Sequence, residues 1–205
     1  MKPKYWNKGR IHLSKKDLVL KKLIQTYKNE HINLNYNYFH SLVNSIIGQQ
    51  ISVSAADSIK KKFFRLKRNI TPLTVLKLSK KDFRVCGLSR QKILYIQNIS
   101  KFFIKNKKFI KNISQHSEVE IFDNLIQIKG IGKWTIHMFL IFSFGSSNIF
   151  PIGDLGFLKA ISKQYNLKLP INERKLNNLE KKWSPYCSQA TWYLWRSLDP
   201  IPVNY

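Results

Sequence analysis

Acidic residues are scarce in this 205-residue chain: 11 Asp and Glu stand against 36 Lys and Arg, a formal charge of +25. An excess of that size points to a polyanionic partner, because neutralising phosphates releases their condensed counterions. A composition rich in Lys, Ile and Asn also fits biased codon usage, so charge alone does not separate DNA from RNA or ribosomal partners. Cysteine is almost absent. Cys86 and Cys187 lie far apart in sequence, and two thiols cannot build a disulfide framework, a four-Cys iron–sulfur cluster or a zinc finger. They are expected as free thiols in a reducing cytoplasm. Long hydrophobic runs are missing too. The most apolar stretch, residues 134–144, is too short to span a bilayer, and reads as a buried helix. The basic start Met1-Lys2-Pro3-Lys4 runs into Tyr5-Trp6-Asn7-Lys8, which interrupts the apolar core an export signal needs.

What is present can fold. With 43% hydrophobic and 13% aromatic residues, the chain can bury a core as one domain or two interlocked lobes. Helical periodicity dominates and no run alternates as a strand would. The pattern predicts a first helix opened by Ser14 and running to about Tyr27, then a polar, Asn-rich stretch from Asn29 to Asn37. Further helices are expected at residues 39–47, 55–64 (capped by Ser52 or Ser54), 72–78, 90–103 and 119–128. Residues 134–144, 155–165, 173–182 and 188–198 complete an all-α chain.

The most specific local feature is Leu125-Ile126-Gln127-Ile128-Lys129-Gly130-Ile131-Gly132-Lys133-Trp134-Thr135. An apolar helix ends, two glycines flank one apolar residue, and a second helix begins with a basic residue. Gly130 and Gly132 allow positive φ and close backbone approach, and Ile131 can plug the angle between the helices. Amides at the second helix's start, with Lys133 and the Thr135 hydroxyl, would make a phosphate-binding corner. An ordinary helical hairpin has the same outline. Downstream lies Phe150-Pro151-Ile152-Gly153-Asp154-Leu155-Gly156. Asp154 stands where a helix N-cap is expected, a structural job worth about 1 kcal/mol. A carboxylate opposite a phosphate-gripping hairpin can also stabilise a developing oxocarbenium sugar.

The hairpin followed by this F-P-x-x-D-L-G-like segment resembles the helix-hairpin-helix superfamily of DNA glycosylases. The likeness extends to Phe39–Ser52, to Arg84–Lys92 with its Gly87-Leu88-Ser89, and to Trp183-Ser184-Pro185-Tyr186 followed by Ala190–Arg196, in the family's order across most of residues 5–199. The branch most like it is bacterial DNA-3-methyladenine glycosylase II. The resemblance implies a two-lobed helical fold, residues 38–146 forming one lobe and 1–37 plus 147–205 the other, with the active-site cleft between them. It makes Asp154 the catalytic carboxylate. It lines the base pocket with Trp134, Trp195, Met138 and Tyr193, and places Gly130, Ile131, Gly132, Lys133 and Thr135 on the DNA backbone. Gln49, Gln50 and Ile51 become the wedge that fills the hole left by a flipped base.

In relatives that are also lyases, a lysine lies two residues beyond the second hairpin glycine. Here that residue is Trp134, which implies water attack and a monofunctional enzyme. Electron-rich rings suit a base made cationic by alkylation. The implied partner is damaged double-stranded DNA, bound by a monomer, with no organic cofactor and no metal cluster. A cation bridging hairpin carbonyls and a phosphate is compatible with the turn. The sequence departs from the family's pattern at Gly153, where many relatives carry a second acid, at Met138, an aromatic elsewhere, and at Cys187, commonly arginine. The N-terminal β-domain of some members is not expected, since Tyr5 already belongs to the helical core. Uracil, mismatched or oxidised bases remain alternative substrates, and a non-catalytic DNA-binding protein remains the alternative outside enzymes.

Overall fold

The computed structural model describes residues 1–199, and among these every regular element is helical. The α-helices are α1 (Trp6–Lys16), α2 (Leu18–Thr26), α3 (Tyr38–Gly48), α4 (Val53–Arg65), α5 (Pro72–Leu76), α6 (Lys80–Val85) and α7 (Arg90–Lys105). They continue as α8 (Lys107–Lys111), α9 (Glu118–Leu125), α10 (Lys133–Phe139), α11 (Leu155–Tyr165), α12 (Glu173–Trp183) and α13 (Cys187–Arg196). A 3₁₀ turn occupies Ile113–Gln115, and a π-helical stretch, Leu140–Phe144, follows α10. No described helix is long and apolar enough to cross a membrane.

The chain divides into two compact units, one made of Met1–Asn35 with Leu140 onward, the other of Tyr36–Phe139. The second boundary falls before residue 146, the expected limit. The reason is local: the Phe142 carbonyl accepts the Asn35 N–H at 2.9 Å, and the Phe142 ring stacks on Trp195, so the π-helical stretch belongs with the termini.

In the unit of residues 36–139, α3 buries Phe39, Ser41, Leu42, Val43, Ser45, Ile46 and Ile47, almost all round its circumference. A helix apolar on every side belongs at a centre, and α4, α7 and α10 pack around it. Side-chain caps set several helix starts. Ser52 accepts from Ala55 N–H and opens α4, while Ser117 and Glu120 form a reciprocal capping box on α9.

In the other unit the centre is α13, where nine consecutive residues from Cys187 to Trp195 are buried. Helices α1, α2, α11 and α12 pack against it. Two of its polar side chains bond internally: Ser188 Oγ accepts from Ile149 N–H at 2.9 Å, and Gln189 Nε2 donates to the Trp6 carbonyl at 3.1 Å. Both cysteines are free and buried. Burial pushes the Cys187 thiol up to about 11 and raises that of Cys86, so neither is a reactive thiolate at neutral pH.

The single first helix expected from Ser14 to Tyr27 is two. Ser14 lies inside α1, and Asp17 breaks the run with extended backbone (φ −143°, ψ 115°) before capping α2 through Val19 and Leu20 N–H. Asp17 is only 2% exposed. Its carboxylate also accepts from Trp183 Nε1 at 3.1 Å and Lys182 Nζ at 2.9 Å, tying α12 to the α1–α2 corner. Burial on its own would raise this carboxyl, but the bonds from Trp183, Lys182 and Leu20 outweigh it and hold the group below its ordinary value of 3.8.

Because the folded-state value is depressed, the stability Asp17 contributes is present above pH 3.8 and disappears as pH falls through the folded-state value. Removing one partner of a buried charged cluster typically costs about 3–5 kcal/mol. Asp17→Ala should therefore lower the thermal midpoint strongly at pH 7, with the gap to wild type closing on acidification, as followed by circular dichroism.

Candidate functional site

The hairpin between α9 and α10 takes its form from α7. Gly130 has φ +107°, and a Cβ there would lie 2.2–2.6 Å from ring atoms of Tyr95. The Tyr95 ring therefore lies directly against the turn backbone, with its hydroxyl receiving Gln91 Nε2 at 2.6 Å. One turn further along α7, Asn98 Nδ2 donates to the Lys129 carbonyl at 3.2 Å. Ile131 is buried as the expected plug, its N–H bonded to the Ile128 carbonyl at 2.9 Å. Gly132 and Lys133 are exposed at the start of α10. Trp134 is half-buried.

Thr135 is placed differently from the expectation of a DNA-facing hydroxyl. It is 1% exposed, and its Oγ1 accepts from Gln49 Nε2 at 3.4 Å. The same Gln49 amide donates to the Gly130 carbonyl at 3.4 Å. Gln49, one of the three expected wedge residues, thus joins the end of α3 to the hairpin. The other two differ from it: Gln50 is exposed with a left-handed φ of +56°, and Ile51 is 38% exposed. A non-glycine residue in this region is strained and persists only when its surroundings fix it. Part of that fixing comes from Lys92, whose Nζ donates to the Ile47 carbonyl at 2.7 Å. Burial lowers the pKa of this ammonium.

Asp154 performs the capping job read from the sequence. Its Oδ1 accepts Phe157 N–H at 2.5 Å at the start of α11, and also the indole N–H of Trp195 at 2.9 Å. Trp195 is 7% exposed and stacks on Phe142 with ring centroids 5.9 Å apart and planes 16° from parallel. Ile152 and Leu155, on either side of Asp154, are exposed. A Cβ at Gly153 would meet nothing within 4 Å, so the missing second acid is not a steric requirement.

Two further expectations need correction. Tyr193 has no exposed surface: its ring packs against Trp6 and Trp192 at 5.7 and 5.0 Å, on the side of α13 away from Trp195. Residues two apart on a helix point about 200° apart, so the two aromatics cannot share a wall. Met138 is 1% exposed and belongs to the core rather than to an open pocket. Cys187 is fully buried, its Sγ near the Glu180 carbonyl, and makes no surface contact of the kind an arginine would. Sequence reasoning missed Tyr95, Asn98 and Lys92, which act on backbone groups far along the chain. Only the Gly87-Leu88-Ser89-x-x-Lys92 pattern marked one of them. Among the described residues, no group of three or more His, Cys, Asp and Glu is placed to hold a metal ion.

An all-helical chain with a glycine hairpin and a capped aspartate at the head of the helix after it defines a class of DNA-processing fold. Residues 43–185 match the HhH-GPD superfamily of base excision DNA repair proteins, and the chain belongs to that superfamily. It is 30% identical over 198 residues to DNA-3-methyladenine glycosylase 1 of Schizosaccharomyces pombe, covering 93% of this chain and 86% of the relative. It is 30% identical over 175 residues to the DNA-3-methyladenine glycosylase of Saccharomyces cerevisiae, covering 80% and 58%. The solved structure of the S. pombe 3-methyladenine DNA glycosylase in complex with abasic DNA superposes with a TM-score of 0.81 at 27% identity, covering 93% of this chain and 96% of that one.

Gly130→Ala introduces both a Tyr95 clash and an unfavourable φ, the latter alone worth about 1–3 kcal/mol. The variant should lower both the thermal midpoint and DNA affinity. Adding Tyr95→Ala should restore part of each loss, since it removes the clash and leaves the φ penalty, as read by thermal denaturation and fluorescence anisotropy.

Proposed function

We propose that this chain is a monofunctional DNA glycosylase that excises alkylated bases of the 3-methyladenine and 7-methylguanine type from duplex DNA and leaves an abasic site. The observation that carries the reading is the Asp154 carboxylate, fixed by two N–H donors in a chain similar over nearly its whole length to a glycosylase solved on abasic DNA.

Alkylation at a ring nitrogen makes the base cationic. As the bond from C1′ to the base breaks, its electron pair passes to the base, which leaves neutral, and positive charge develops on the sugar. The Asp154 carboxylate stabilises that charge and orients a water molecule, whose oxygen bonds to C1′ while its proton is released to the carboxylate or to solvent. Trp134, half-buried at the head of α10, offers a ring face to the cationic base. Standing where lyases of the superfamily carry lysine, it has no amine with which to form a Schiff base. Lys133 and the exposed amides at Gly132 hold a backbone phosphate, and Gln50 with Ile51 fills the space of the flipped nucleotide.

Water is the only co-reactant this route needs. A cation at the hairpin fits the turn in one respect: the carbonyls of Ile128 and Gly130 each accept one hydrogen bond and retain a second lone pair. Such an ion would add attraction for a phosphate, and no step depends on it. The proposed setting is a monomer acting on DNA in a reducing cytoplasm.

Incubation with methylated duplex DNA should release methylated purines and leave strands intact until alkali is added, as separated by chromatography and denaturing gels. Asp154→Asn should slow release by about a hundredfold or more, the scale of losing one electrostatic stabiliser, while still binding abasic DNA. Release of uracil with no methylpurine would overturn the substrate assignment. Wild-type rates from Asp154→Asn would overturn the mechanism.

A further inference from the structure

Trp195 entered as a candidate wall for the excised base, yet its surroundings describe another task. One face of the indole is covered by Phe142, the side chain is buried, and its single polar atom points at Asp154 Oδ1. That oxygen already accepts Phe157 N–H, which suffices to cap α11. An N-cap alone leaves the carboxylate able to swing about its terminal torsion. A second donor from a rigid ring, clamped by a stacked neighbour on a fully buried helix, removes that freedom. Gly156 makes the approach possible, since a Cβ there would lie 3.2 Å from Asp154 Oδ1 and 3.7 Å from Trp195 Nε1. Asp154, Gly156, Phe157, Trp195 and Phe142 therefore form one constrained cluster within a single unit of the chain.

We infer that Trp195 is a positioning residue that acts through Asp154, orienting the carboxylate, rather than a surface on which the base stacks. The inference rests on the reading of Asp154 as the catalytic carboxylate. A charge-assisted hydrogen bond is short and directional, so the indole N–H on Oδ1 sets the direction in which the carboxylate faces a cationic sugar. Trp195 would then govern how strongly the protein responds to positive charge at C1′, whatever base has departed. Gly156 would be a second determinant of the same response, because a Cβ there presses on Asp154 Oδ1 itself, the oxygen that both N–H groups contact.

Trp195→Phe separates the two roles, since it keeps a ring on Phe142 and deletes the donor, at the cost of some buried volume that circular dichroism and thermal denaturation would register. Three readouts are needed: single-turnover release of 7-methylguanine and of 3-methyladenine, and affinity for two abasic duplexes. One duplex carries neutral tetrahydrofuran at the abasic position, the other a cationic pyrrolidine. The expected result is release of both bases slowed by about tenfold, the scale of one charge-assisted hydrogen bond. Affinity for tetrahydrofuran DNA should be unchanged, and the preference for pyrrolidine over tetrahydrofuran should fall with the rate. Gly156→Ala should shift that preference in the same direction by less, which keeps the test open if Trp195→Phe folds poorly by circular dichroism. A wild-type pyrrolidine preference in both variants overturns the inference, as does a loss that falls on one methylated base and spares the other. Asp154→Asn is run alongside. If it abolishes release while Trp195→Phe leaves the pyrrolidine preference intact, only the positioning role fails. If it leaves release intact, the catalytic reading fails with it.

Discussion

The burial of nine consecutive residues of α13, Cys187 to Trp195, constrains more of this protein than any other feature. A helix apolar on nearly every side must be surrounded by others. Helices α1, α2, α11 and α12 supply the cover. Once α13 is fixed at the centre of its unit, Trp195 is fixed as well, and its indole N–H reaches the head of α11 and the Asp154 carboxylate. The carboxylate's orientation is therefore a consequence of core packing. The same packing needs Asp17, the buried acid that joins Trp183 and Lys182 to the α1–α2 corner. Two carboxylates out of so few thus do opposite work: one holds the core together, the other stands half-buried beside exposed Ile152 and Leu155.

The unit of residues 36–139 repeats the logic with different chemistry. Here α7 buries Ile93, Ile96, Ile99 and Phe103 against its neighbours, and three of its other side chains reach backbone groups of other segments. Tyr95 lies against Gly130, Asn98 bonds the Lys129 carbonyl, and Lys92 bonds the Ile47 carbonyl at the end of α3. Gln49 closes the circuit by bonding both Gly130 and Thr135. The strained Gln50 thereby follows directly on an anchored residue, which helps hold its left-handed backbone.

Much of this was legible beforehand, and the errors have physical causes. The helix at Leu155–Tyr165 and its aspartate cap follow from periodicity plus one capping residue, both local signals. Gly130 was readable because the turn there needs positive φ and close approach, whereas Gly132, expected to share that need, has neither a positive φ nor a neighbour within 4 Å of where its Cβ would lie. The first helix was misread because Asp17 can sit in a helix or break one, and only its long-range bonds to α12 decide between them. Tyr193 and Trp195 looked alike in sequence. They were told apart by which face of α13 meets α1 and which meets α11, a property of assembly. Thr135 beside Lys133 suggested a shared phosphate, yet the two residues point in different directions, one into the core and one to solvent.

By itself the sequence determined an all-helical chain, a strongly cationic surface, a glycine hairpin, an aspartate at the head of the following helix, and membership of a DNA-repair superfamily by order of motifs. Each is written in nearest-neighbour spacing or in composition, and survives without knowledge of packing. The tertiary structure alone decided that Gly130 answers to Tyr95, that Gln49 bonds the hairpin, and that Trp195 bonds Asp154. Those pairings join residues tens of positions apart, and their partners are selected by the shape of a finished core, which no local pattern encodes.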